Sequence, residues 1–224
     1  MSAVLSRFLS SVLLAAGFLT TGQSFAADPG SPPNPPSFYV VEIANFACEH
    51  CRNMDALLPD IQAATEKAGG AFDFAPVVWG DMPADRDYVY YAARVQGPAM
   101  AEQVRKALFV AVQDQGLSFD SVHQAVDWLA SDLPAMPADT YTQLEQDASN
   151  PEIGQQAEAR AEHLADTAGV SMTPTYVFVQ AGKVVSVVGY DDSMSSQALE
   201  ARVLSVISTL GPQPPASPGT KDRN

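Results

Sequence analysis

Two cysteines lie three positions apart, Cys48 and Cys51, in the segment Phe46-Ala47-Cys48-Glu49-His50-Cys51, and the chain has no others. Thiol–disulfide exchange asks for this arrangement. Two thiols must meet without backbone movement, and the first must be accessible and partly ionised, because the thiolate is the nucleophile. Random placement of two cysteines gives this spacing about once in a hundred chains. Cys48 follows an apolar stretch and opens a helical one, which puts it at a helix N-terminus. Unpaired N–H groups and a positive partial charge favour a thiolate there. His50, if protonated or donating, adds to the stabilisation. Cys51, about one turn further in, resolves the mixed disulfide by attacking the Cys48 sulfur.

Three other uses of the pair compete with exchange. A structural disulfide closing so short a loop stabilises by roughly 2 kcal/mol, less if strained, and a staple is more effective across a long loop. A metal site finds at most Cys48, Cys51 and His50 locally, with no second cysteine pair to complete structural zinc, although two thiolates could hold Cu(I). Two buried, inert thiols are the third use. Exchange ranks first and metal binding second. His123 and His163 are read as surface or packing residues, and Trp79 and Trp128 as core or interface residues.

The elements that must position the pair follow from residue periodicity. Phe38 to Asn45 is β-branched and aromatic and reads as a strand. A helix begins at about Cys48 with Met54, Leu57, Leu58 and Ile61 on one face, and Pro59 should kink or end it. Phe72 to Trp79 is a second strand, after the turn signal Gly69-Gly70. A helical block follows. Asp85 to Val95 is its first helix. Gly97-Pro98 starts a second, with Met100, Val104, Ala107, Leu108 and Ala111 at helical spacing and a stop at Gly116. Ser118 caps a third with Phe119, Val122, Val126 and Leu129. Asp139 to Ser149 is a fourth. Pro151 opens a fifth, striped by Ile153, Ala157, Ala161 and Leu164. Thr175 to Gln180 and Val184 to Val188 form a hairpin around Ala181-Gly182-Lys183. A closing helix carries Leu199, Val203, Val206, Ile207 and Leu210. Without the block, the order is β-α-β then β-β-α.

The 224 residues are 46% hydrophobic, enough for one core with a sizeable insertion, and carry a formal net charge of −14. Such a surface argues against nucleic acid and anionic membrane as partners. Arg7, the apolar run Phe8 to Leu19 and the small residues around Ser24-Phe25-Ala26 read as a signal peptide rather than a membrane anchor. Export places the mature chain where disulfides form and persist. Asp28 to Ser37 is proline-rich and reads as a linker, and the stretch from Gly211 reads as a disordered tail. The expected organisation is a signal peptide over 1–26, a linker over 27–37, folded segments over 38–80 and 169–210, a helical insertion over 81–168 and the tail over 211–224.

These features resemble the DsbA-like periplasmic disulfide oxidoreductases, in which a strand runs into a Phe-containing C-x-H-C. The resemblance covers nearly the whole mature chain. It implies an α/β thioredoxin fold, a central mixed sheet flanked by helices, with an inserted helical domain. It implies Cys48 as nucleophile, Cys51 as resolving thiol and His50 as the residue that stabilises the thiolate. Gly169-Val170-Ser171-Met172-Thr173-Pro174-Thr175 precedes the hairpin as the family's cis-proline loop does, so the Thr173 backbone and Pro174 are expected to receive an extended substrate segment. Glu42, six residues before Cys48 in an apolar strand, falls where the family often carries an acid that accepts the Cys51 proton. Without the resemblance, a solvent-facing glutamate is an equal reading. The implied activity is oxidation of dithiols in exported, cysteine-containing proteins, followed by reoxidation through a quinone-linked membrane partner of the DsbB type. The same fold could serve a reductase or isomerase fed by a reductant-supplying partner. A Cu(I) carrier ranks lower still. Exchange requires no bound metal or organic cofactor. The sequence leaves the oligomeric state open.

Glu49 departs from the C-P-H-C of the best-known members, and Thr173 departs from the valine usual in strong oxidases and resembles the isomerase relatives. A carboxylate beside the Cys48 thiolate disfavours it by about one pKa unit. Thiols of this kind run from roughly 3.5 in DsbA to about 7 in thioredoxin. Cys48 is expected between them, in a weaker oxidant than the C-P-H-C type. Glu49→Pro should lower the Cys48 pKa by about one unit and raise the reduction potential by roughly 30 mV. Titration of the thiol and equilibration with glutathione check this, and values unchanged from the unaltered protein would contradict it.

Overall fold

The computed structural model describes residues 35–80 and 83–211. The expected signal peptide, the linker up to residue 34 and the tail beyond Gly211 lie outside the described residues.

The chain runs β1 (Tyr39–Ala44), α1 (Glu49–Asp55), α2 (Leu58–Lys67) and β2 (Ala71–Pro76). Five helices follow: α3 (Asp85–Gln96), α4 (Pro98–Phe109), α5 (Val122–Asp132), α6 (Ala138–Ala148) and α7 (Gly154–Ala168). The hairpin β3 (Thr175–Gln180) and β4 (Lys183–Gly189) and the helix α8 (Ser196–Leu210) close the fold. The sheet order is β2-β1-β3-β4, with β1 parallel to β2 and antiparallel to β3, and β4 antiparallel to β3 on the edge. This is the α/β thioredoxin arrangement with a helical insertion between β2 and β3.

The β1 strand reads as a nearly continuous buried run because it is central, with Val40, Val41, Ile43 and Ala44 in the core. The β3 strand buries Tyr176, Val177 and Phe178 for the same reason. In the insertion, α3 is the hub, packed against α4, α5, α6 and α7, and it buries Val89, Tyr90, Tyr91, Ala92 and Ala93. Helix α7 also contacts β2 and β4, which joins the insertion to the sheet.

Several local expectations differ from the structure. Of the two outcomes expected at Pro59, the early end is the one found: the first helix stops at Asp55, and Pro59 sits in the first turn of a second helix, α2, where its missing N–H is an orphan donor anyway. The second strand stops at Pro76, short of Trp79, and Trp79 is not a core residue, being 41% exposed. Ser121, not Ser118, caps α5 and accepts the Gln124 amide at 3.2 Å, so Phe119 precedes the helix and packs on Trp128. Helix α7 starts at Gly154 rather than Pro151, and its buried face runs through Gly154, Glu158, Ala161 and Ala165. Tyr88 explains Gly154, since a Cβ there would lie 2.8 Å from the Tyr88 Cβ. The hairpin turn is two residues, Ala181-Gly182, both at positive φ (50° and 73°), the primed turn that matches strand twist.

Candidate active site

The motif is held from its upstream side by packing. Phe46 is fully buried, and its ring centroid lies 5.0 Å from Phe109, 5.8 Å from Phe74 and 6.0 Å from Tyr90. Aromatic pairs of this kind contribute about 0.5–1.5 kcal/mol each beyond area burial. They fix the end of β1 against β2, α3 and α4.

Asn45 shapes the turn that follows. Its Nδ2 donates to the Val77 carbonyl at 2.7 Å, its Oδ1 accepts the Ala47 amide at 2.7 Å, and its carbonyl accepts the Cys48 amide at 3.0 Å. Gln113 closes the same turn from the insertion. Its Nε2 donates both protons, to the Phe46 carbonyl at 2.8 Å and the Cys48 carbonyl at 2.9 Å. Gln113 belongs to a π-helical turn over Val110–Asp114 that continues α4. Such turns are frequent at functional sites, and this one carries the side chain that reaches the motif. Beside it, Arg52 pairs with Asp114 through both guanidinium nitrogens, with Nη2 2.6 Å from Oδ2. Glu49, Arg52, Asn53, Gln113 and Asp114 line an open polar groove of about 630 Å³ between α1 and this turn.

Cys48 is the N-cap of α1. Its sulfur accepts the Cys51 amide at 3.2 Å, and its thiol donates to the Thr173 carbonyl at 3.4 Å. Both cysteines are free thiols, Cys48 half-buried and Cys51 fully buried. The Cys48 pKa is lowered to about 6. The Cys51 thiol, hydrogen-bonded to the sulfur, is the largest cause. Burial opposes it, and Thr173, the Cys51 amide and the His50 charge add to the lowering. Burial first, then the neighbouring Cys48, push Cys51 well above its ordinary value. One sulfur ionises near neutral pH while its partner keeps the proton. In the reduced protein, Cys48 therefore contributes stability above about 9, its unperturbed value, and loses it as pH falls through about 6.

The other sequence-predicted residues surround this pair. His50 is half-buried and stacks on Tyr190. Thr173 and Pro174 are joined by a cis peptide bond, and the loop is braced by Thr175 Oγ1 donating to the Met172 carbonyl at 2.8 Å. Glu42 is fully buried, opposite Phe74 of β2 and Tyr176 of β3, so the solvent-facing reading fails. Burial raises its pKa to about 8, against the lowering influence of Arg105. Tyr176 is near enough to favour the carboxylate, yet no hydrogen bond of ordinary geometry reaches either Glu42 oxygen or the Tyr176 hydroxyl. Arg105, itself buried, binds Asp55 at 2.5 Å and lies 5.4 Å over the Phe74 ring. Glu49 is exposed.

Sequence reasoning missed Asn45, Gln113, Arg105, Asp55 and Tyr190. Asn45 carried a legible signal, an Asx residue at a strand-to-helix turn. Gln113, Arg105 and Tyr190 come from distant segments, and Asp55, although it closes α1, is marked out only by its pairing with Arg105.

Residues 34–200 match the family described as Thioredoxin. Among solved structures, the oxidoreductase NmDsbA1 from N. meningitidis aligns with a TM-score of 0.62 at 16% identity, over 82% of this chain and 89% of that one. The oxidoreductase DsbA from Xylella fastidiosa gives 0.61 at 20% identity, over 80% and 88%. DsbA from Pseudomonas aeruginosa gives 0.59 at 21% identity, over 82% and 88%. At these identities the likeness is one of fold. No curated protein matches the chain.

The Gln113 bonds make a specific expectation. Gln113→Glu keeps the shape but loses both donors and sets a carboxylate against two carbonyls. Stability should fall by about 1–3 kcal/mol and the Cys48 pKa should rise by about one unit. Chemical denaturation and thiol titration of the reduced variant check this, and wild-type values in both would remove Gln113 from the site.

Proposed function

This chain belongs to the thioredoxin family, and we propose that it is an exported thiol:disulfide oxidoreductase of the DsbA-like type that oxidises dithiols in periplasmic proteins. The observation that carries the reading is the asymmetry of the two sulfurs. Cys48 is accessible and held at about 6, while Cys51 is buried and held well above its ordinary value. A stabilised Cys48 thiolate favours the reduced form of the pair, which makes its disulfide a better oxidant.

In the oxidising direction, a substrate thiolate attacks the Cys48 sulfur of the Cys48–Cys51 disulfide. The S–S bond breaks and Cys51 leaves with the electron pair. Its raised pKa draws a proton, which the buried Glu42 carboxyl supplies. A second substrate thiolate then attacks the substrate sulfur of the mixed disulfide and releases Cys48 as a thiolate. The substrate has lost two electrons and the protein pair has gained them. His50 stabilises the released thiolate, and the Thr173–Pro174 loop receives the extended chain beside the target cysteine. Reoxidation falls to a quinone-linked membrane partner of the DsbB type. Residues 1–26 act as the export signal and 27–37 as a spacer. The insertion over 81–168 rests on the sheet formed by 38–80 and 169–210.

The test is glutathione-coupled insulin reduction together with alkylation trapping in cells. The unaltered protein should catalyse exchange, Cys48→Ala should abolish it, and the trapped protein should be mostly oxidised. Mostly reduced protein would assign the same site to a reductase or isomerase. Tight Cu(I) binding with no exchange would defeat the enzymatic reading.

Glu42 gives a second expectation with a defined pH sign. Its folded pKa of about 8 exceeds its unperturbed 4.5. The folded protein therefore holds a proton that the unfolded chain releases, and stability is lost as pH rises from 4.5 through 8. Glu42→Gln removes that loss, so it should stabilise the protein at pH 8 and leave it unchanged near pH 4. It should also slow the proton-coupled step by about 100-fold or more. Denaturation at the two pH values and stopped-flow resolution of a mixed disulfide check both halves.

A further inference from the structure

Tyr190 enters none of the exchange steps above, and nothing in its sequence neighbourhood marks it. It is the residue after β4, on a half-buried position beside the motif. Its amide donates to the Pro174 carbonyl at 3.1 Å, which ties its backbone to the proline loop. Its ring lies on the His50 imidazole, with centroids 4.0 Å apart and planes 22° from parallel. The same loop places the Thr173 carbonyl 3.4 Å from the Cys48 sulfur. Tyr190 therefore touches both structures that flank the nucleophile, the first turn of α1 and the loop facing it.

We propose that Tyr190 is a positioning residue that clamps the His50 ring over the first turn of α1 and so maintains the Cys48 thiolate. The inference rests on Cys48 being the reactive thiol and deepens that reading.

The physical argument has three parts. First, His50 is in the first turn of a helix and only half-buried, and its imidazole makes no hydrogen bond to another described residue. A side chain in that situation samples several rotamers, and a charge that swings into water is screened. A near-parallel ring at 4.0 Å selects one rotamer by dispersion and, for an imidazolium, by attraction to the negative π-face. Second, the clamp is itself anchored. The hydrogen bond that the Tyr190 N–H donates to the Pro174 carbonyl ties the ring's origin to the proline loop rather than to a free segment. Third, His50 is among the groups that favour the Cys48 thiolate. Whatever fixes the imidazole fixes that contribution.

The decisive measurement is the thiol titration of Cys48 in the reduced protein, read by ultraviolet thiolate absorbance, with the His50 ring followed by NMR. Tyr190→Ala should raise the midpoint by about half a unit, roughly a threefold loss of thiolate stabilisation, and should shift and broaden the His50 resonances. Tyr190→Phe keeps the stack and should titrate like the unaltered protein. In a His50→Ala background, Tyr190→Ala should have no further effect, because the two residues act as one unit. Tyr190→Leu fills the space without stacking and replaces Tyr190→Ala, with the same expected outcomes, if the latter does not fold. A folded Tyr190→Ala with an unmoved midpoint, or an equal rise with and without His50, overturns the inference. The titration needs no exchange partner, so failure of the unaltered protein to reduce insulin would strike the oxidoreductase reading separately.

Discussion

The site depends on one hydrogen-bonded turn in which a sulfur takes the place that a serine or aspartate oxygen occupies at most helix starts. Cys48 is the N-cap of α1, accepting the amide of Cys51, and the neighbouring Cys51 thiol favours its charge. The N-cap side chain meets the orphan N–H groups from outside the helix, and Cys51, one turn in, lies on the face of α1 turned to the core. Two identical side chains thus stand in different surroundings, one half-buried and one fully buried. Everything else in the neighbourhood keeps that turn in place. Phe46 anchors it below, Asn45 and Gln113 satisfy its backbone, and the proline loop faces it.

Beneath the pair lies a set of ionisable groups that a purely structural core would not contain. Glu42, Arg105 and Asp55 are all screened from solvent or nearly so, and the Glu42 oxygens lack ordinary hydrogen bonds. Replacing such groups by apolar ones is often neutral or stabilising. Their presence beneath the Cys51 thiol is what the proton transfer proposed above draws on. Arg105 keeps the carboxyl of Glu42 from rising further, and its own charge is balanced by Asp55. A second buried group, Arg86, Asp87 and Glu158, lies in the insertion, where burial raises both acids. It is separate in sequence from the redox motif and has no comparable sulfur beside it.

Much of this was legible because local chemistry dictated it. The strand before the motif, the helix after it and the hairpin are announced by residue type over short windows, whereas the proline loop is legible only through the family resemblance. What stayed hidden was tertiary. Gln113 sits sixty-five residues from Cys48, and nothing in its own segment distinguishes it from a surface glutamine. Arg105 reads by periodicity as a polar interruption between Val104 and Ala107, although its guanidinium is buried over the Phe74 ring. Ser118 reads as the cap by its type, yet Ser121 caps α5, and Phe119 lies before the helix against Trp128. Trp79 reads as core by its type, yet the strand ends three residues earlier and releases it toward solvent. The burial of Glu42 was half legible. Its strand was apolar on every side, but which neighbours covered it depended on the register with β2 and β3.

The two bonds made by Gln113 bear on how far this architecture could be pruned. Removing the five helices between β2 and β3 would leave a minimal four-stranded scaffold that still contained both cysteines, the proline loop and the closing helix. It would also strip the only side-chain donor among the described residues from the carbonyls of Phe46 and Cys48, and three aromatic neighbours from β1's end would shrink to one. The excised miniature would keep the motif's letters and lose the mould that gives them shape.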